Sequence, residues 1–194
     1  MIKYIYRYWA HTGLFISIFI ISYIYFIESH KIFLAEKLIL LNLAFLMIHQ
    51  FEEYVYPGGF KEYFNNNIYN PFGFFRNKLT NKGIIWINVI FGWGMNIVTL
   101  LFLSSYPFAV LIVIAILFIN GIIHFIVTFK TQYYNPGVIT GALLFLPLGF
   151  YAYYKFLPDY HISNLQLIII FLTAAFLSLL IPITIFATRK RSHR

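Results

Sequence analysis

The chain has 194 residues, of which 61% are hydrophobic and only 10% charged, with a formal net charge of +8. A soluble domain is nearer half apolar and a quarter charged, so this composition excludes an ordinary soluble protein and points to several membrane spans. With no cysteine, disulfides, thiolate metal sites and thiol nucleophiles are excluded too.

Six stretches are long and apolar enough to cross a bilayer: 8–27, 34–53, 84–104, 107–128, 137–156 and 165–187. The first is too long for a signal peptide and no small-residue cleavage site follows it, so it reads as a retained helix. Between the second and third lies the one long loop, 54–82. Its aromatic residues, among them Phe60, Tyr63, Phe64, Tyr69 and Phe72, alternate with Asn, Lys and Gly. Such a loop is expected to lie on the interface, in part as a short amphipathic helix capping the bundle. Ser104-Ser105-Tyr106-Pro107 makes the third and fourth spans a tight hairpin. Pro136-Gly137 opens the fifth span, and Pro147 and Pro182, inside helices, should kink them.

The basic residues lie between the apolar runs, which accounts for the charge by topology and argues against a nucleic-acid partner. With the N-terminus in the cytoplasm, 11 Lys and Arg (Lys3, Arg7, Lys61, Arg76, Lys78, Lys82, Lys130, Arg189, Lys190, Arg191, Arg194) fall inside and 3 (Lys31, Lys37, Lys155) outside. The expected fold is therefore an all-α integral membrane protein: one domain over 1–194, a bundle of six transmembrane helices with both termini cytoplasmic and a basic tail at 188–194. The expected location is the cytoplasmic (inner) membrane, with the lipid bilayer as its main partner; the oligomeric state is left open.

Two of the six acidic residues stand side by side in His49-Gln50-Phe51-Glu52-Glu53, at the end of the second span. Positions i, i+3 and i+4 share a helix face, so His49, Glu52 and Glu53 can converge. Ionisable groups at such a place are costly and point to function. In the expected topology, His124 near the end of the fourth span and His11 near the start of the first lie at the same depth. His30, His161 and His193 are read as loop or tail residues.

Two or three imidazoles with one or two carboxylates can hold a divalent ion, zinc or non-haem iron. One glutamate would ligate and the other act as general base, with the assignment between Glu52 and Glu53 open. Asn42, Asn120 and Thr128, within one or two turns of these histidines, are candidate supporting partners, and Tyr134 a candidate for stabilising an oxyanion. A Pro-Gly step follows each polar cluster, Pro57-Gly58 and Pro136-Gly137, and favours a fixed turn there. The same residues are also compatible with a solvated helix end, with Glu52 or Glu53 paired to Lys61 or Lys130.

These motifs resemble those of the HXXEE domain family of bacterial membrane proteins. His49-Gln50-Phe51-Glu52-Glu53 matches the H-x-x-E-E pattern, His124 a second histidine, and Tyr134-Asn135-Pro136-Gly137 a Y-x-P-G motif, with the likeness running on through Val138-Ile139-Thr140. The resemblance covers about residues 40–145 and implies a polytopic membrane protein for which enzymatic activity is suspected and no substrate is known. The span at 8–27 precedes the resembling region, which ranks His11 below the other groups.

The residues support three functions. The first is a metal-dependent enzyme in the membrane, a hydrolase acting on a lipid-like substrate at the cytoplasmic face, with an oxidative non-haem iron enzyme as its variant. The second is a small transporter or proton-coupled permease. The third is a structural membrane subunit whose polar cluster stabilises the bundle.

Overall fold

The computed structural model describes residues 2–27, 32–66, 78–103, 106 and 108–189. Among these the chain is all helical, without a strand, and six helices are long and apolar enough to cross a membrane. They are α1 (Ile2–Phe26), α2 (Leu34–Tyr54), α4 (Asn81–Leu101), α5 (Ala109–Thr131), α6 (Val138–Phe156, its last segment running over Leu146–Asp159) and α7 (Asn164–Thr188). The short α3 (Phe60–Asn66) lies between α2 and α4. It is the helix expected within 54–82; residues 67–77 of that loop fall outside the described residues, as do most of the Ser104–Pro107 turn, His30, His193 and the basic tail beyond Arg189.

The burial pattern is inverted relative to a soluble protein. Phe19, Leu143, Leu172 and Phe176 are exposed, while Asn42, His49, Gln50, Glu52, Glu53, Asn96 and His124 are buried. In a bilayer lipid would solvate the first set and the second must be satisfied internally, so the helices are compatible with a multi-pass membrane protein. The largest apolar core gathers Leu38 and Ile39 of α2, Val110, Leu111 and Ile114 of α5, Ala152 and Phe156 of α6, and Ile170 and Ala174 of α7. α1 packs along α2, with Trp9 reaching Trp93 of α4.

Three helices depart from regular geometry, each for a visible reason. In α4, Trp86–Trp93 forms π-type turns. There the Asn88 side chain donates to the Ile84 carbonyl at 2.9 Å, four residues back, and competes with the helix ladder. In α6, Gly141–Phe145 is a π turn just before Pro147, where a wider turn relieves the clash of the ring with the carbonyl four residues earlier. In α7 the helix is interrupted at Leu179, three residues before Pro182. Its first half packs on α5 and its second half on α4.

α5 and α6 cross at Gly121 and Gly141. A Cβ on Gly121 would lie 3.1 Å from the Gly141 carbonyl oxygen, and a Cβ on Gly141 3.2 Å from Gly121 Cα. This contact brings the start of α6 beside His124, one turn along α5. Gly121→Val must therefore push backbone from backbone, at a cost of about 1–3 kcal/mol. Gly94→Ala, whose Cβ meets nothing within 4 Å, should be neutral or stabilising by up to ~1 kcal/mol. Thermal unfolding in detergent should show a lower Tm for the first variant and not for the second.

Candidate metal centre

The two adjacent glutamates face different partners. Successive residues of a helix are roughly 100° apart, and here that angle separates two environments. Glu52 meets the start of α6. Its Oε1 accepts from the Tyr134 hydroxyl at 2.7 Å, the Gly137 N–H at 3.0 Å and the Ile139 N–H at 3.2 Å. Its Oε2 accepts from the Thr140 N–H at 2.8 Å and the Thr140 hydroxyl at 2.5 Å. Gly137, which precedes α6, has no side chain with which to cap it. Glu52 supplies the acceptors instead, and its charge suits the positive end of the helix dipole.

Glu53 meets two imidazoles. Its Oε1 is 3.5 Å from His49 Nε2 and 3.4 Å from His124 Nε2. All three ligand-type atoms lie within 4.8 Å of one another, and all three residues are buried. The two rings stand edge to face, 4.9 Å apart at 88°. Such a group could hold a metal ion.

The tautomer of His49 follows from its neighbours. A hydroxyl 2.5 Å from a carboxylate oxygen must donate to it, so Thr140 Oγ1 gives its proton to Glu52. His49 Nδ1, 2.8 Å from the same hydroxyl, is then the donor in that pair. This leaves the Nε2 lone pair directed toward Glu53 and toward Asn120, whose Nδ2 is 3.3 Å away. An imidazole that donates through one nitrogen and presents the other is the arrangement of a metal-ligating histidine.

Gly137 closes the centre from the side of α6. Val138 N–H donates to the Asn135 carbonyl at 3.0 Å, closing a turn in which Gly137 has φ +101 and ψ −11. These are near the values a type II turn requires at its third residue. A Cβ on Gly137 would lie 2.6 Å from Cε1 of His49, 2.7 Å from Cε1 of His124 and 3.1 Å from Cγ of Glu53. Only glycine leaves that space, so Pro136-Gly137 is tied to the centre by geometry as well as by sequence. On another side the turn at Gly58 and Gly59, both with positive φ, carries the chain into α3 and sets Phe60 5.7 Å from the His124 ring.

Several expected partners prove to be elsewhere. His11 packs edge-on against Phe51, which points away from the His49 face of α2, so His11 does not join the cluster. Asn42 donates to Asn96 Oδ1 at 2.9 Å and links α2 to α4 instead of supporting His49. Thr128 Oγ1 and His124 Nδ1 are both buried without a hydrogen-bond partner, so Thr128 does not orient His124. Asn120 does support the centre, through His49 on the facing helix and not through His124, its neighbour on α5. Tyr134 is already donating to Glu52, and burial, with the Glu52 charge beside it, pushes its phenol above the ordinary range. It is a fixed donor to Glu52 and not one aimed at an open site.

Two residues with no assigned role matter here. Thr140 links Glu52 to His49. Gln50, fully buried, accepts from Trp93 Nε1 at 2.7 Å and donates to Asn88, fastening the motif helix to the π turns of α4. A polar residue between two apolar helices was the available signal for each.

The protein-family comparison matches residues 40–152 to a family described as proteins of unknown function with an HXXEE motif. The chain belongs to the HXXEE family. The match takes in all three ligand-type residues of the centre, Glu52, Thr140 and the Pro136-Gly137 turn, and excludes α1. No curated protein and no solved structure matches the chain significantly. In this HXXEE protein Glu52→Ala would leave three backbone N–H groups and two hydroxyls without their acceptor. Unsatisfied buried groups cost about 1–3 kcal/mol each. Glu52→Ala should lower the Tm in detergent by several times the shift of His11→Ala, measured by thermal unfolding.

Proposed function

We propose that the protein is a membrane-embedded metal-dependent enzyme, a hydrolase acting on a lipid-like substrate at the cytoplasmic face, with His49, Glu53 and His124 as its metal ligands. The observation that carries this reading is the spacing of Glu53 from the two imidazoles. Charge-assisted N–H···O bonds are usually about 2.7–2.9 Å long, and the two contacts of Glu53 at 3.5 and 3.4 Å are too long for that. Nitrogen and oxygen ligands at about 2.0–2.1 Å from a tetrahedral ion are about 3.3–3.4 Å apart. The donor set, the bare wall at Gly137 and the preset tautomer of His49 all fit a zinc-like ion with three protein ligands. Three ligands leave one position open, as catalytic sites require.

A bound divalent ion would supply Lewis acidity and a water of lowered pKa. The chain's own residues do the rest. Glu53 brings the negative charge that draws a cation out of water. Glu52, through Thr140, holds the proton on His49 Nδ1 and leaves Nε2 as the ligating atom, whose bond from Asn120 an ion would displace, so Glu52 acts as a positioning residue and not as the general base. Asn120 borders the cavity next to His49 and would offer an amide donor beside a bound ion. The cytoplasmic placement rests on the distribution of Lys and Arg. Non-haem iron would accept the same ligands and favour an oxidative reaction. A transport path would need polar groups across the whole bundle, and the buried pair Asn42–Asn96 in its middle is bonded to itself.

The test is metal analysis by mass spectrometry of protein purified in detergent without a polyhistidine tag. Wild-type protein should carry close to one transition-metal ion per chain. His49→Ala, His124→Ala and Glu53→Gln should lose it, and His11→Ala should keep it. Thr140→Val should stay folded and bind the ion about 10–100-fold more weakly. Wild-type protein that takes up no ion after resupply with zinc, iron and manganese would overturn the reading.

A further inference from the structure

The triad stands at one end of a cavity of about 380 Å³, a size typical of small-molecule pockets. The cavity runs from His49, Glu53 and His124 along α5 as far as Val113. Eleven residues of helix separate His124 from Val113, roughly 16 Å at 1.5 Å per residue. Asn120 is the middle residue of α5, so His124 lies roughly 6 Å to one side of the middle of the helix and Val113 roughly 10 Å beyond it on the other; the cavity crosses the middle of the bundle.

Its two ends differ in chemistry. The triad end offers a carboxylate, imidazoles and the Asn120 amide. Beyond it the wall is made by Leu46, Met95, Val113, Ile116 and Leu117. The polar exceptions on that wall are already bonded: Asn96 Oδ1 accepts from Asn42 and its Nδ2 donates to the Gly92 carbonyl, Ser178 donates to the Ala174 carbonyl, and Gln50 donates to Asn88. A polar ligand pushed to that depth would lose its hydration without compensation; a hydrocarbon chain would lose nothing.

The way in is lateral. At the interface α3 lays Phe60 over His124, with Phe64 behind it, and both line the cavity. On the lipid side, α7 leaves α5 for α4 at Leu179, so its second half diverges from the second half of α5. Ile123 of α5 and Ile181 of α7, both lining the cavity, are 40% and 37% exposed beside this divergence. The bend at Pro182 thereby has a purpose that packing alone does not give it.

We infer that the cavity takes one hydrocarbon chain of a membrane amphiphile, which enters sideways between α5 and α7 and leaves its polar group against the triad. The position of the polar group rests on the triad being the reacting centre; the seat of the chain does not. Diazirine-bearing palmitic acid, with the photoreactive carbon in mid-chain, is the probe, added to the full-length protein in lipid nanodiscs. After illumination, labelled residues are mapped by mass spectrometry.

Labels are expected on Met95, Val113 and Ile116. Met95→Trp and Ile119→Trp, which fill the cavity from two helices, should reduce them at least tenfold while leaving metal content unchanged. His49→Ala should lose the metal and keep the labels, so failure of the metal reading is distinguishable from failure of this one. Labels confined to lipid-facing residues such as Phe19, Leu143 and Leu172, in wild-type protein, would overturn the inference. So would cavity labels that persist in folded Met95→Trp and Ile119→Trp. Should either variant not fold, the wild-type map decides.

Discussion

Five donors from one short stretch, Tyr134 to Thr140, converge on the carboxylate of Glu52. A helix start carries N–H groups without partners, and in a bilayer water is not there to take them. Glu52 answers that need for α6 from the end of α2. The bond set pins two helices that are far apart in sequence, and its consequences spread outward. Thr140 is held where it can receive the proton of His49. Gly137 is held against both imidazoles. The next residue on α2, Glu53, is turned away from α6 and aimed between His49 and His124.

The triad so formed buries a carboxylate between two imidazoles. Glu53 is buried with two nitrogen partners at distances beyond those of strong hydrogen bonds. A buried carboxylate without close compensation is costly. Everything around it is arranged to keep the space between the three groups open: a glycine with positive φ where any side chain would intrude, a glycine crossing that brings α5 to α6, and an aromatic cover from α3. On the proposed reading a divalent cation would satisfy the charge, the distances and the tautomer together, and the apolar cavity beyond it would seat the hydrocarbon part of a lipid-like substrate.

The spans were legible because a bilayer imposes length and apolarity directly on sequence. Leu34–Tyr54 and Val138–Phe156 lie within a residue of the expected 34–53 and 137–156. The pairing of the second and fourth spans was legible too: His49 and His124 do meet. Angle around the helix was not. Whether Glu52 or Glu53 faces the histidines depends on what stands on each side of α2, and adjacent residues carry no sign of that. His11 has the right depth and the wrong side. Asn120 is close to His124 in sequence, yet it serves His49 across a helix interface. Thr140 stands in the sequence only as the tail of a motif. Its role depends on a carboxylate 88 residues away, and periodicity cannot supply that. The π turns of α4 and α6 arise from the competing Asn88 side chain and from Pro147, local causes that hydropathy does not register.

On the proposed reading two imidazoles and the Glu53 carboxylate share one ion. X-ray absorption spectroscopy at the edge of the metal found in purified protein tests it most directly, because the fine structure reports the ligands themselves. Two imidazole nitrogens and a carboxylate oxygen are expected at about 2.0–2.1 Å with one further light atom, and no bound ion in His124→Ala. An ion surrounded by water oxygens alone, or an unchanged imidazole count in both His49→Ala and His124→Ala, would contradict it.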